Sequence, residues 1–168
     1  MGNRTSGSLS GAVDREKMIY LMRHADAVSE EEDQARPLSA KGRDQVARVC
    51  VALRAGPGFN PSEVWHSPLS RARETAELLV QGLGLSAPLV PTSGLRPNDD
   101  PGKIAALLES HDGELAVVGH EPHLGVLASM MARGPECGGV YYSFPKAGVL
   151  ALSREGKHWR AGWLVRLP

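Results

Sequence analysis

A chain of 168 residues with 42% hydrophobic side chains can bury a core without disulfide or metal staples, so we expect one compact domain. Lysine plus arginine equals aspartate plus glutamate at 19 each, which excludes a global charge that would recruit nucleic acid or an anionic membrane. The two cysteines, Cys50 and Cys137, are too few for a disulfide framework and favour a reducing cytoplasm.

The first 17 residues are rich in glycine and serine and contain no apolar stretch long enough for the core of a signal peptide. We expect residues 1–17 to be a disordered leader and residues 18–168 to form the single domain. The longest apolar runs elsewhere fall far below the span that crosses a bilayer. These features predict a soluble cytoplasmic monomer with no membrane partner.

The first predicted strand is the apolar run at residues 18–22, which stops at charged Arg23 as a buried strand entering a polar loop does. A helix follows from Ser39 and is closed by the glycine and proline residues at 56–58. Its apolar side chains recur at helical spacing and are Val46, Val49, Cys50 and Leu53.

A second strand and helix come next in the chain. Residues 63–65 predict a short strand, and Ser70 is placed to cap the helix after it. Residues 88–90 indicate a third strand, which leads into a loop at residues 96–102 that is dense in proline, asparagine and aspartate. The buried side of the second helix is expected to carry Ala72, Ala76, Leu79 and Val80.

The clearest central strand lies at residues 115–118. Pro122 suits the first turn of a fourth helix, since proline lacks an amide hydrogen that this position does not need. The third helix is built on Ile104, Leu107 and Leu108, and the fourth bears Leu124, Leu127, Ala128 and Met131.

The pattern then changes to strands separated by glycine-containing turns, at residues 140–144, 149–153 and 159–165. We interpret these strands as antiparallel additions at one sheet edge. The earlier alternation of strands and helices implies right-handed crossovers and a largely parallel sheet. The predicted fold is therefore an α/β three-layer sandwich, with a mainly parallel central sheet, helices on both faces and antiparallel edge strands.

Polar residues end three of the predicted strands, at residues 23–24, 66–71 and 120–121. Ligands bind beyond the carboxyl ends of the strands in such sheets, so these residues should share one rim. Their chemistry suits phosphoryl transfer, which needs an in-line nucleophile and fixed positive charge around the phosphate oxygens.

Each candidate residue has a distinct part in that chemistry. The guanidinium forks of Arg23 and Arg71 match phosphate oxygens, and neutral His24 can attack phosphorus. His120 would donate to a phosphate oxygen, beside unpaired helix-start amides at Pro122 that favour an anion. A neutral nucleophile predicts that activity falls below the imidazole pKa, roughly 6.5 if unperturbed.

Three motifs now show a resemblance to a known family. Residues 21–25, Leu-Met-Arg-His-Ala, resemble the Arg-His-Gly signature of the histidine phosphatase superfamily, with Ala25 in place of glycine. Residues 67–76 resemble its second motif, in which Arg71 binds phosphate, and residues 117–120 resemble its second histidine motif. The resemblance spans roughly Met18 to the last strand and implies the phosphoglycerate mutase-like fold.

Residues 36–39 and 41–42 are similar to the SixA-type phosphohistidine phosphatases, a short subgroup without large capping insertions. The resemblance implies a metal-independent phosphatase without cofactors that removes a phosphoryl group from a phosphorylated histidine on a protein, through a covalent phosphohistidine intermediate. Its expected partner is a histidine phosphocarrier domain. It also implies that four residues are catalytic, which are Arg23, His24, Arg71 and His120. Arg36 is expected nearby as a substrate-binding residue.

One group of the family pattern, the general acid of the middle loop, is missing from this sequence. Many superfamily members carry a glutamate two positions after a leucine in the middle loop to protonate the leaving group, whereas Leu95 is followed here by Arg96 and Pro97. General acid catalysis is typically worth about a hundred- to ten-thousand-fold, so its loss should penalise alkoxide leaving groups. Imidazole needs less help, which favours a phosphoramidate substrate.

The sequence leaves two alternative functions open. Glu121 is a possible general acid and would allow a small-molecule phosphoester phosphatase, while Asp99 is a weaker candidate for the same role. The missing acid and the changed glycine also allow a phospho-binding module without turnover. His120 and His123 lack the spacing and the third ligand of a zinc site, so we expect no metal.

Overall fold

The computed structural model describes residues 16–56, 58–136 and 139–168. Within these residues, four helices pack on a six-stranded sheet, and no helix is long and apolar enough to cross a bilayer. Most of the predicted leader, residues 1–15, and Cys137 lie outside the described residues. The elements are β1 (Met18–Arg23), α1 (Ala40–Ala55), β2 (Glu63–His66), α2 (Ser70–Leu83), β3 (Leu89–Pro91), α3 (Pro101–Ser110), β4 (Leu115–Gly119), α4 (His123–Arg133), β5 (Val149–Glu155) and β6 (His158–Val165).

The strand order in the sheet is β3-β2-β4-β1-β5-β6. The neighbouring pairs among β1 to β4 are parallel, whereas β5 pairs antiparallel with both β1 and β6. Arg23 lies opposite Gly119 and His66 lies opposite Val118, so the carboxyl ends of β1, β2 and β4 meet at one rim. The predicted α/β sandwich with a mainly parallel sheet and an antiparallel edge is confirmed.

Two hydrophobic layers lie on opposite faces of the sheet because successive strand residues point to opposite sides. Tyr20 and Met22 of β1 pack with α1 and α2, whereas Ile19 and Leu21 pack with α3 and α4. All five residues of β4 are buried, as expected of a central parallel strand covered on both faces.

The helices follow the predicted periodicity, with local differences. Cys50 is buried on the inner face of α1 as predicted, and Ser39 caps that helix. Ser70, in contrast, is the first residue of α2 rather than its cap, because Leu69 takes the cap position without a side-chain hydrogen bond. Leu107 was expected on the buried face of α3 but is 47% exposed, and Ile104 with Leu108 forms the contact with the core.

The predicted strand at residues 140–144 is wrong. The described residues of this segment contain no strand, and we call residues 140–144 the strap. The amide of Tyr141 donates to the hydroxyl of Ser129 in α4, and the amide of Phe144 donates to the carboxylate of Glu121. The side chains of Ser129 and Glu121 therefore accept the amide hydrogen bonds that a neighbouring strand would accept in a sheet. No edge of β5 is open to the segment, since both are already paired with β1 and β6.

Candidate active site

His24 follows β1 and is held in place by hydrogen bonds to backbone carbonyls. Its amide donates to the carbonyl of Gly119 at 2.9 Å, and its ring Nδ1 lies 2.6 Å from the carbonyl of Ala25. A carbonyl oxygen only accepts, so Nδ1 carries the proton and Nε2 keeps its lone pair. The side chain is 7% exposed, and this tautomer has a nucleophilic nitrogen available for attack.

The surroundings of His24 keep its imidazole neutral. Burial is the main cause that lowers the pKa of His24 to about 4, and the positive charges of Arg71, Arg23 and Lys146 lower it further. The hydrogen bond to Ala25 opposes this shift. The pKa of His24 therefore lies below the value of roughly 6.5 that an unperturbed imidazole has.

His120 ends β4 and faces the first histidine, with 5.1 Å between the ring centroids of His24 and His120. Its Nε2 lies 2.8 Å from the hydroxyl of Ser67, which accepts a hydrogen bond from the amide of Leu69. The hydroxyl hydrogen of Ser67 is free to point at Nε2, and we assign the tautomer in which it does so and the ring proton lies on Nδ1. That nitrogen is buried and has no hydrogen-bond partner among the described residues.

Burial also dominates the electrostatics of His120. It lowers the pKa of His120 to about 3, with further lowering by His24 and then Arg71. The side chain is 1% exposed. A neutral ring with an unpartnered N–H is suited to donate to a phosphate oxygen.

The two arginines point charge at the same region. Arg23 donates from Nη1 to the carbonyl of Phe144 at 2.8 Å, and Arg71 lies in the first turn of α2. The Nε atoms of both arginines are buried without a hydrogen-bond partner among the described residues. Burial, followed by the charge of Arg36, lowers the pKa of Arg71 from its ordinary value. Buried unpaired donors are costly, which favours an anionic ligand that completes them.

Two further cations border this region. Arg36 has a φ of 48°, donates from Nε to the carbonyl of Val28, and is near enough to Arg71 to influence its pKa. Lys146 forms an ion pair with Asp26 and contributes to the lowered pKa of His24. The sequence did not predict a role for Lys146 or Ser67, because neither a lone lysine in a turn nor one serine within a motif signals a role by itself.

The carboxylate proposed as a possible acid is already engaged by backbone amides. Glu121 accepts from Phe144 through Oε1 at 2.6 Å and from Gly125 through Oε2 at 3.0 Å. Asp99 accepts from the amide of Arg96 at 2.9 Å. The amide of Gly125 is therefore not open to an anion, and our expectation of unpaired amides at this helix start does not hold for it.

Two further histidines, His66 and His123, lie on elements that border the site, β2 and α4. His66 is buried with its Nδ1 2.9 Å from the carbonyl of Ser67, and burial lowers the pKa of His123. In the part of the chain that the structure describes, no three His, Cys, Asp or Glu side chains are grouped to hold a metal ion.

Comparison with known proteins agrees with this geometry. The model of the histidine phosphatase superfamily (branch 1) matches residues 19–98, a range that includes Arg23, His24 and Arg71. The chain is 36% identical over 141 residues to an uncharacterized protein of Picosynechococcus sp., covering 80% of this chain and 83% of that protein. The chain belongs to the histidine phosphatase superfamily. His120 lies beyond the matched range, and the fold brings its ring beside that of His24.

Solved structures share the histidine phosphatase fold across nearly the whole chain. The protein histidine phosphatase SixA complexed with tungstate has a TM-score of 0.77 at 24% identity, covering 88% of this chain and 95% of that one. The alpha-ribazole phosphatase from Shigella flexneri has a TM-score of 0.72 at 15% identity, covering 88% and 95%. A mycobacterial glucosyl-3-phosphoglycerate phosphatase has a TM-score of 0.62 at 17% identity, covering 88% and 97%.

Proposed function

We propose that this superfamily phosphatase is a metal-independent, SixA-like phosphohistidine phosphatase, which removes a phosphoryl group from a phosphorylated histidine of a protein. The observation that carries the proposal is the pairing of two neutral imidazoles 5.1 Å apart with two arginines whose Nε atoms lack partners among the described residues. One imidazole has a free lone pair, and the other has a free N–H.

The proposed first step uses all four side chains. Arg23, Arg71 and His120 hold the phosphate oxygens while Nε2 of His24 attacks phosphorus. A new nitrogen–phosphorus bond forms as the bond to the substrate imidazole breaks. The substrate ring, protonated from solvent on its other nitrogen, keeps the electron pair of the broken bond and leaves as a neutral imidazole. Water then attacks the phosphohistidine of the enzyme, which releases phosphate and restores neutral His24.

The state of nearby carboxylates supports a phosphoramidate substrate. Glu121 accepts two backbone amides, Asp99 accepts one, and Asp26 binds Lys146 and Ser39. An alkoxide leaving group depends on an acid that delivers a proton, whereas imidazole leaves with less assistance. The similarity to the protein histidine phosphatase SixA supports the same substrate class.

A small phosphoester is the second candidate substrate. The alpha-ribazole phosphatase and glucosyl-3-phosphoglycerate phosphatase neighbours favour it, since their names indicate small phosphorylated molecules. In that function Glu121 would serve as the general acid. Arg36 is the proposed substrate-binding residue in both functions. The two functions differ in the leaving group that the site can release.

The deciding experiment compares both substrate classes under the same conditions. The purified chain is incubated with a histidine phosphocarrier domain labelled on its phosphohistidine, and in parallel with a panel of sugar and nucleotide phosphates. We expect loss of label from the phosphocarrier at a kcat/KM far above that of any ester. Faster release from one ester than from the phosphocarrier would favour the second candidate.

Replacement of the nucleophile tests whether turnover occurs at all. The variant His24→Ala should lose label transfer and phosphate release by roughly four orders of magnitude or more while remaining folded. His66→Ala is the matched control, because His66 is also a buried strand-end histidine with Nδ1 facing a backbone carbonyl. Equal turnover in His24→Ala and the wild type would exclude His24 as the nucleophile. If neither protein turned over substrate, the chain would be a phospho-binding module without catalytic activity.

A further inference from the structure

Glu121 sits where three backbone segments meet, between the end of β4, the first turn of α4 and the strap. Its Oε1 accepts the amide of Phe144 at 2.6 Å, and its Oε2 accepts the amide of Gly125 at 3.0 Å. Both oxygens are acceptors, which is the hydrogen-bonding state of an ionised carboxylate. A proton on either oxygen would remove the negative charge that strengthens both of these hydrogen bonds.

The same region of α4 fixes the strap at other points. The amide of Tyr141 donates to the hydroxyl of Ser129 at 2.9 Å, and that hydroxyl donates to the carbonyl of Gly125 at 2.7 Å. A side chain at Gly125 would meet the carbonyl of Tyr142 at 2.6 Å and Oε2 of Glu121 at 2.9 Å. Only glycine lets the strap and the carboxylate approach the helix this closely.

The strap in turn holds an arginine of the site. The carbonyl of Phe144 accepts a hydrogen bond from Nη1 of Arg23 at 2.8 Å, and Phe144 is only 2% exposed. A chain of contacts therefore runs from the Glu121 carboxylate through one peptide segment to the Arg23 guanidinium. The Nε of Arg23 is buried without a partner in the described residues, so its orientation depends on this contact.

We propose that Glu121 is a positioning residue for Arg23 and that it does not protonate the leaving group. This inference rests on the proposed role of Arg23 as a phosphate ligand. The carboxylate fixes the strap, the strap carbonyl fixes the guanidinium, and the guanidinium meets the phosphoryl oxygens in a prepared orientation. Such preorganisation lowers the cost of reaching the transition state for any leaving group.

The test combines Glu121→Gln with Arg23→Ala in a double-mutant cycle. The amide of glutamine presents an N–H to one of the two backbone donors, so one contact is lost while the size is kept. Glu121→Gln alone should lower kcat/KM by about tenfold or more, by the same factor for phosphohistidine, p-nitrophenyl phosphate and an alkyl phosphate. In the Arg23→Ala background, it should lower kcat/KM by no more than about twofold.

Three further variants separate positioning from a general structural effect. In the Arg71→Ala background, Glu121→Gln should keep its full effect, because no hydrogen bond joins Arg71 to the strap among the described residues. Ser129→Ala loosens the strap without altering the carboxylate and should show the same dependence on Arg23. Glu114→Gln removes a carboxylate that binds Tyr20 at the far end of the sheet, and it should leave kcat/KM unchanged.

Two results would overturn the inference. One is a loss that grows with the pKa of the leaving group, together with disappearance of the basic limb of the pH profile, as removal of an acid would cause. The other is an undiminished effect of Glu121→Gln in the Arg23→Ala background. Full activity of Arg23→Ala alone would instead reject the proposed phosphate ligand, and with it the basis for positioning.

Discussion

The two imidazoles of the site present different ring nitrogens, because each has a different neighbour. His24 faces the carbonyl of Ala25 with Nδ1, whereas His120 faces the hydroxyl of Ser67 with Nε2. Both rings are neutral because burial lowers their pKa values to about 4 and about 3. One histidine can therefore attack and the other can donate at the same pH.

A titration of the imidazole signals tests this electrostatic description. The NMR signal that disappears in His24→Ala should titrate near pH 4, since burial and three nearby cations oppose protonation. The proposed nucleophile should then stay neutral, and labelling of the enzyme should stay rapid, down to about pH 5. A midpoint at or above 6.5 would contradict the buried, cation-flanked site.

Ser67 provides a second prediction at the scale of one side chain. Ser67→Ala removes the group that selects the tautomer of His120, so we expect kcat/KM to fall by about tenfold, the equivalent of one side-chain hydrogen bond. Ser67→Thr keeps the hydroxyl and should restore most of the activity. Steady-state kinetics on both variants provide the measurement, and wild-type activity in Ser67→Ala would argue against the assigned tautomer.

At the scale of elements, α1 approaches the chain after β1 more closely than a side chain allows. A Cβ at Gly42 would lie 2.0 Å from the backbone carbonyl oxygen of Asp26. Ser39 caps the same helix and also donates to the carboxylate of Asp26, so this contact fixes the loop that follows β1. The loop cannot shift easily to admit a methyl group.

Alanine at Gly42 should therefore destabilise the protein by about 2 kcal/mol or more, as overpacking against backbone does. Gly102→Ala is the matched control, because Gly102 also lies in a first helical turn but faces a carboxylate oxygen of the capping residue Asp100, at 3.1 Å, rather than backbone. That change should be neutral or stabilising, since alanine favours helix. Urea unfolding of the two variants gives the comparison, and equal stabilities would refute the close contact.

The behaviour of the whole molecule in acid follows from its buried neutral histidines. Between the unfolded pKa of roughly 6.5 and the folded values near 4 and 3 for His24 and His120, the unfolded chain binds more protons than the native chain. The free energy of unfolding must then fall as the pH falls through this window. Each histidine contributes a slope of up to about 1.4 kcal/mol per pH unit.

Urea unfolding at pH 7, 6, 5 and 4 measures this slope directly. We expect the wild type to lose stability steadily below pH 6.5, and His120→Asn to lose it less steeply because one buried titrating ring is gone. Identical slopes for the two proteins would show that the buried histidines do not control the acid response.

The sequence alone determined the order and type of the elements that carry the site. Apolar runs at residues 18–22 and 115–118, and the helical spacing of Val46, Val49 and Cys50, follow from local periodicity that a layered fold must bury. Because parallel strands end at the same rim, the convergence of Arg23 and His120 could also be predicted.

Only the tertiary structure decided the contacts whose partners are distant in the chain. The alternation at residues 140–144 resembles a strand, but whether an amide meets a neighbouring strand or a side chain depends on which sheet edges are free. The pKa of His24 and the hydrogen bond accepted by Oε1 of Glu121 likewise depend on burial and on segments more than twenty residues away. Local sequence fixes what each residue can do, and long-range packing selects which of these possibilities is used.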